Sequence, residues 1–132
     1  AVSGELDLHR GGPSDSLSSG SLRRGIYIHQ RRDSLPEQQV LFDSADGNTS
    51  CSKRRVSTTS LQPLWLLNSN FVQQRASAFA KHSHSIEAAF QLALGREPDP
   101  DEIAELHQLS QKYGLESACL AILNSSEFLY IP

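Results

Sequence analysis

The sequence predicts a mainly α-helical fold: a small antiparallel bundle of four to five helices, preceded by an irregular, loop-rich segment with at most one short strand pair. Three observations predict it. From Thr58 onward apolar residues recur at helical spacing. Helix start and stop signals punctuate that half at short intervals, as in bundles with short connections. Before Thr58 the chain is rich in Gly, Ser and Arg, and its only strand-like run is Ile26-Tyr27-Ile28.

Each element of the helical half has a local reason. Ser60 can cap a short helix that tolerates Pro63 in its first turn, where a missing N–H costs little. Leu61, Leu64, Trp65 and Leu67 form its apolar side. Asn68-Ser69-Asn70 reads as a break and a new cap. The next helix runs to about His82, with Phe71, Val72, Ala76, Phe79 and Ala80 on one face. Ser85 caps a third helix with Ile86, Ala89, Phe90, Ala93 and Leu94 inward, and Gly95 is placed to end it in the left-handed region. Asp99, Pro100 and Glu102 together make a capping-box start. That helix carries Ile103, Leu106, Leu109 and Tyr113 and stops at Gly114. The last helix, from about Glu116, presents Ala118, Cys119, Ile122 and Leu123, with Leu115 just before it, and ends between Asn124 and Phe128.

The first half divides differently. Residues 1–22 read as a flexible Gly/Ser-rich arm, because too few apolar groups are present to offset the entropy of ordering it. Residues 23–57 read as a basic, loop-rich segment packing on the bundle of residues 58–132. Within it Gln39-Val40-Leu41-Phe42-Asp43 is extended or one helical turn, and Asp46-Gly47-Asn48 is turn chemistry.

Charge is uneven. Ser21 to Arg55 holds seven basic and four acidic residues, whereas Ser85 to Pro132 holds two basic and eight acidic. The net charge of -3 and a pI near 5.9 argue against a nucleic-acid partner. The longest apolar stretch, the six residues Ala118 to Leu123, is far short of the ~20 residues of a membrane helix. Cys51 and Cys119 form no Cys-x-x-Cys-His haem attachment and no zinc set; two buried free thiols are the expectation, and a disulfide is the alternative in an oxidising compartment.

Candidate chemistry centres on arginine. Arg31-Arg32 and Arg54-Arg55, with Asp43, are the residues best suited to bind a ligand, because the planar guanidinium fork takes carboxylate, sulfate or phosphate oxygens two at a time. The competing reading, and the favoured one, pairs them with acidic side chains to hold the loop-rich region together. His82-Ser83-His84 reads as a turn between helices and not as a metal clip, since its other ligands would have to come from elsewhere. Ser57-Thr58-Thr59-Ser60 lacks a nucleophile elbow and an ordered His and Asp set. Asp99, Asp101, Glu102 and Glu105 sit at a helix start, where negative charge is favourable in any case. No catalytic or metal residue is assigned, and no cofactor is expected in the chain.

Several strings occur in a telling order: Arg23-Arg24-Gly-Ile-Tyr-Ile, Arg31-Arg32-Asp-Ser-Leu-Pro, Leu41-Phe42-Asp43, Cys51-Ser-Lys-Arg54-Arg55, Leu66-Leu67-Asn68-Ser69-Asn70-Phe71-Val72, Leu94-Gly95-Arg96-Glu97-Pro98 and Leu123-Asn124-Ser125-Ser126-Glu127-Phe128-Leu129-Tyr130. As a set they resemble the C-terminal part of the domain of unknown function numbered 1553. Ser60 and Pro63-Leu64-Trp65 depart from the usual pattern, at the start of the short helix. The resemblance implies a planctomycete-type exported protein, periplasmic or at the cell surface, with cytochrome-c-like haem domains as neighbours. It implies no activity.

The functional expectation is a non-catalytic structural and interaction module, the C-terminal piece of a larger exported protein, packing against an upstream domain. The alternative is a subdomain of an enzyme or ligand-binding protein, in which Arg31, Arg32, Asp43, Arg54 and Arg55 help line a cleft for an anionic or glycan ligand. A cut surface implies exposed apolar groups, and some of Ile26, Ile28, Leu41 and Phe42 are expected on it.

Overall fold

The structure is a computed structural model, and it describes residues 1–16, 21–31, 36–44 and 59–129. The described residues are mainly helical. In chain order the helices are α1 (Glu37–Leu41), α2 (Leu61–Asn68), α3 (Asn70–Ser83), α4 (Ile86–Leu94), α5 (Pro100–Tyr113), α6 (Leu115–Leu123) and α7 (Ser126–Leu129). Among these residues there is no strand; two isolated parallel bridges join Asp7 to Arg23 and Asp15 to Ile28. The chain divides into two compact units, one of Ala1–Glu5 with Leu64–Pro132 and one of Leu6–Pro63.

The first unit is a helical bundle built around α6. That helix packs on α3, α4 and α5, and touches α7 at its end. Its inward residues Ala118, Cys119, Ile122 and Leu123 meet Ala76, Phe79 and Ala80 of α3 and Ile86, Ala89 and Phe90 of α4 in one buried cluster. The small residues Ala76, Ala89 and Ala118 let the helices approach, and the ring of Phe79 fills the space so left. Cys119 is a free thiol, fully buried, and burial pushes its ionisation up. It behaves as a small apolar group. Its neighbour Ser83 turns its hydroxyl back to the Phe79 carbonyl at 2.9 Å, so this buried polar group is satisfied within its own helix. Cys51 lies outside the described residues.

Helix ends follow the local chemistry. The Ser69 hydroxyl accepts from the Val72 N–H at 3.3 Å, and the Ser85 hydroxyl from the Ala88 N–H at 3.2 Å. Gly95 closes α4 in the left-handed region at φ 73°, with its N–H on the Gln91 carbonyl at 3.1 Å. His84 closes α3 in the same way at φ 62°. The Asp99 N–H donates to Glu102 Oε2 at 2.8 Å, the reciprocal half of a capping box, with Pro100 at the first helical position.

Three expectations are corrected. Ile26-Tyr27-Ile28 does not form a strand: Gly25–Tyr27 is a 3-10 turn. Phe71 points outward, because the buried stripe of α3 runs through Val72, Ala76, Phe79, Ala80 and Ser83, about 100° away around the helix. Tyr113 is exposed at the end of α5. Within the segment expected as an arm, Val2 packs on the core, Ser3 is buried and Glu5 meets Arg75 at 3.1 Å. Gly4 is at φ 75° against the His82 ring, and a Cβ there would come within 3.1 Å of Nδ1.

A Phe79→Ala substitution is expected to destabilise the protein by about 3–5 kcal/mol, because it opens a cavity in the cluster. Leu92→Ala, on an exposed face of α4, is expected to stay within about 0.5 kcal/mol of the parent. Urea denaturation followed by far-ultraviolet circular dichroism measures both.

Candidate functional site

Of the five residues singled out for ligand binding, two are described. Arg31 is exposed. Asp43 is half-buried just after α1 at φ 55°, with its N–H on the Val40 carbonyl at 3.2 Å. Aspartate tolerates this left-handed geometry better than most residues. Arg32, Arg54 and Arg55 lie outside the described residues.

In the unit of Leu6–Pro63, the arginine that organises the chain is Arg23. Its Nη1 donates to the Pro13 carbonyl at 3.1 Å and lies 3.5 Å from Asp15 Oδ2, and its Nη2 donates to the Gly11 carbonyl. The guanidinium lies over the Tyr27 ring, 3.9 Å from its centroid. Asp15 is shared: it also accepts from the Ser21 hydroxyl at 2.6 Å. Backbone bonds from Asp15 N–H to the Tyr27 carbonyl (2.8 Å) and from His29 N–H to the Asp15 carbonyl (2.7 Å) tie the two segments together. One consequence is a contact between Ser14 Oγ and His29 Nδ1 at 3.0 Å. Such a pair activates a hydroxyl only when a third group orients the ring, and among the described residues His29 has no carboxylate partner. The cluster as a whole is an internal brace made from polar groups. Among the described residues of this unit no apolar side chain is fully buried.

In the helical unit, a second arginine joins three elements. Arg96, just after Gly95, places Nη1 on Glu102 Oε2 and Nη2 on Glu102 Oε1, both at 2.8 Å. Its Nε reaches Glu127 Oε1 at 2.9 Å and Nη2 reaches Glu127 Oε2 at 2.7 Å. Both carboxylates are therefore held as forks, one from α5 and one from α7. Nη1 also donates to the Glu97 carbonyl at 3.1 Å, and the guanidinium lies 5.2 Å from the Phe90 ring centroid. Hydrogen bonds from Arg96, then from the Asp99 N–H, hold the Glu102 carboxyl at about 2. Hydrogen bonds from Arg96 also lower Glu127, and the two carboxylates raise Arg96 itself. Every donor of the guanidinium faces a partner within the molecule, so the cluster is a structural clamp and leaves no fork free for an external anion.

The third feature is apolar. Leu61, Leu64 and Leu67 stand 62%, 53% and 46% exposed along α2, and Phe71 at the start of α3 is 54% exposed. From Val56 to Gln74 the sequence has not one charged residue. Among the described residues no group of three His, Cys, Asp or Glu could hold a metal ion, and no helix is long and apolar enough to cross a membrane. His82 and His84 are both exposed at the end of α3.

The sequence model of the family described as PSD1, protein of unknown function (DUF1553), matches residues 1–110. No curated protein and no solved structure matches the chain.

The Arg96 clamp has a pH signature. The folded-state value of Glu102 lies below the ordinary carboxylate value, so the clamp stabilises the fold above pH ~4.5 and that contribution is lost as pH falls toward ~2. The melting temperature is expected to decline across that window. The decline should be shallower in Arg96→Ala, which has lost the pairing at every pH, and thermal scans at stepped pH measure the difference.

Proposed function

We propose that this chain, which belongs to the DUF1553 family of proteins of unknown function, is a non-catalytic structural and interaction module of a longer exported protein. On this reading the parent is of planctomycete type and is located in the periplasm or at the cell surface. Haem, where the parent carries it, is held by neighbouring domains, because the chain has no Cys-x-x-Cys-His. The helical unit supplies stability, and the unit of Leu6–Pro63 meets an upstream domain.

One observation carries the reading. The unit of Leu6–Pro63 has no fully buried apolar side chain among its described residues, yet it exposes Leu8, Ile26 and Val40. Exposed apolar groups of this kind are normally covered by another element. Ile26 and Phe42, two of the four residues expected on a cut surface, are exposed; Ile28 and Leu41 are half-buried. The brace around Arg23 holds the backbone on either side of Ile26 through Tyr27 and Asp15.

A second reading, in which the loop-rich segment lines a cleft for an anionic or glycan ligand, draws on one observation. Asp43 holds a left-handed backbone at φ 55°, and uncommon conformations of this sort cluster at ligand sites.

The test of the first reading uses an apolar fluorescent dye with the chain and with an Ile26→Ser, Val40→Ser double variant. Dye emission is expected to fall several-fold in the variant while helix content and melting temperature hold. Unchanged emission would remove the observation on which the docking role rests. For the second reading, sulfate or a uronic acid is expected to raise the melting temperature of the parent chain and not that of an Arg31→Ala, Asp43→Ala variant.

A further inference from the structure

Within the helical unit, α5 is held differently from the helices around it. α3, α4 and α6 each bury side chains, Phe79, Phe90 and Ile122 among them, whereas no side chain of α5 is buried. Its apolar side, Ile103, Leu106 and Leu109, is half-buried, and Leu106 packs on the core cluster. An apolar group that keeps part of its surface in water gains only part of the free energy of burial. By that measure α5 is the least anchored of the four longer helices of the core.

Its other ties are polar. His107 Nε2 lies 3.5 Å from Glu87 Oε1 of α4 with both side chains about half exposed, and exposed pairs add little. The stronger tie is Arg96, which grips Glu102 at the start of α5 with one fork and Glu127 of α7 with another. α7 is itself packed on the core through Phe128. One half of the clamp therefore sits on the loosely held helix and the other on an anchored one, which is the arrangement of a latch. Both ends of α5 also meet the chain at glycine. Gly95, at φ 73°, closes α4 before it, and Gly114, at φ 88° and ψ 160°, alone joins it to α6. The Gly114 backbone is one that essentially only glycine adopts. No atom lies within 4 Å of the Cβ position at either glycine, so both joints have room to turn.

We propose that α5 opens from the bundle as one unit, with the pairing of Arg96 to Glu127 as its latch, while α3, α4 and α6 stay folded. A helix of 14 residues released from its neighbours is marginal in water, so opening and unwinding go together. The helical unit thus has a closed state and an open one, and the open one frees Ile103, Leu106 and Leu109. The device is independent of the docking surface assigned to Leu6–Pro63.

Hydrogen exchange of the whole chain, read amide by amide, tests the proposal. The amides of α5 are expected to share one protection factor, at least tenfold below the value shared by α3 and α6. Glu127→Gln removes the anchored half of the latch and leaves the fork between Arg96 and Glu102 in place. This variant is expected to lower the protection of α5 several-fold, by the same factor as that of α3 and α6, because the latch is broken in the partial opening and in global unfolding alike. Phe79→Leu weakens the core that stays folded when α5 opens. It is expected to lower the protection of α3 and α6 several-fold and to leave that of α5 unchanged. Amides of α5 as well protected as those of α6 would overturn the proposal, as would protection that rises steadily from one end of α5, which is fraying. A Glu127→Gln variant that spares α5 while lowering α3 and α6, or a Phe79→Leu variant that lowers all three together, would overturn it too.

Discussion

The burial of α6 is the constraint on which the helical unit depends. Its inner residues, Ala118, Cys119, Ile122 and Leu123, meet α3 and α4 in a single buried cluster. α3, α4 and α5 each present a partly apolar face, and such a face gains stability only when another element covers it. In this unit one nine-residue helix, Leu115–Leu123, supplies the cover for all three. Close approach is possible because the contact positions are small, and Phe79 fills the remaining volume. A chain of this size has little stability to spare, so α3, α4 and α6 stand or fall as one cooperative unit.

The Arg96 clamp then determines how the chain leaves that core. Gly95 turns the backbone at the end of α4, and the next residue reaches both Glu102 at the start of α5 and Glu127 on α7. The same Glu102 that caps its own helix also accepts the arginine fork. Partial exposure limits what the pairs add to stability, but the two-fork geometry fixes direction, so α7 is held near the α4–α5 turn. Arg23 plays the corresponding part in Leu6–Pro63, gathering carbonyls, a carboxylate and a tyrosine ring where no apolar side chain is fully buried among the described residues. The two units thus use the same side chain type for order.

Helix boundaries were readable because their causes are local. Ser69, Ser85, Gly95, the Asp99–Pro100–Glu102 start and Gly114 each act within a few residues of themselves. Helix rotation was less readable: Phe71 and Val72 are adjacent and both apolar, and only the position of α6 decides that Val72 is covered and Phe71 is not. Ile26-Tyr27-Ile28 carries strand propensity that the surroundings override, since Tyr27 turns to lie under Arg23. The two clamps escaped the sequence reading for one reason. Arg96 meets Glu127 across thirty-one residues and Arg23 meets Gly11 across twelve, and no spacing rule connects such pairs. Of the arginines singled out for ligand binding, Arg31 is described and Arg32, Arg54 and Arg55 lie outside the described residues; among the described residues Arg23, Arg75 and Arg96 each pair with a carboxylate.

Native-state hydrogen exchange tests the central claim, that an apolar core orders the helical unit while polar contacts order Leu6–Pro63. Amides of α3, α4 and α6 should exchange only through global unfolding, and their apparent free energies should converge on one value. The amides of Asp15, Tyr27 and His29, although hydrogen-bonded, should exchange through a separate opening of clearly lower free energy. Equal protection in both units, with all of these amides following the global transition, would contradict the account.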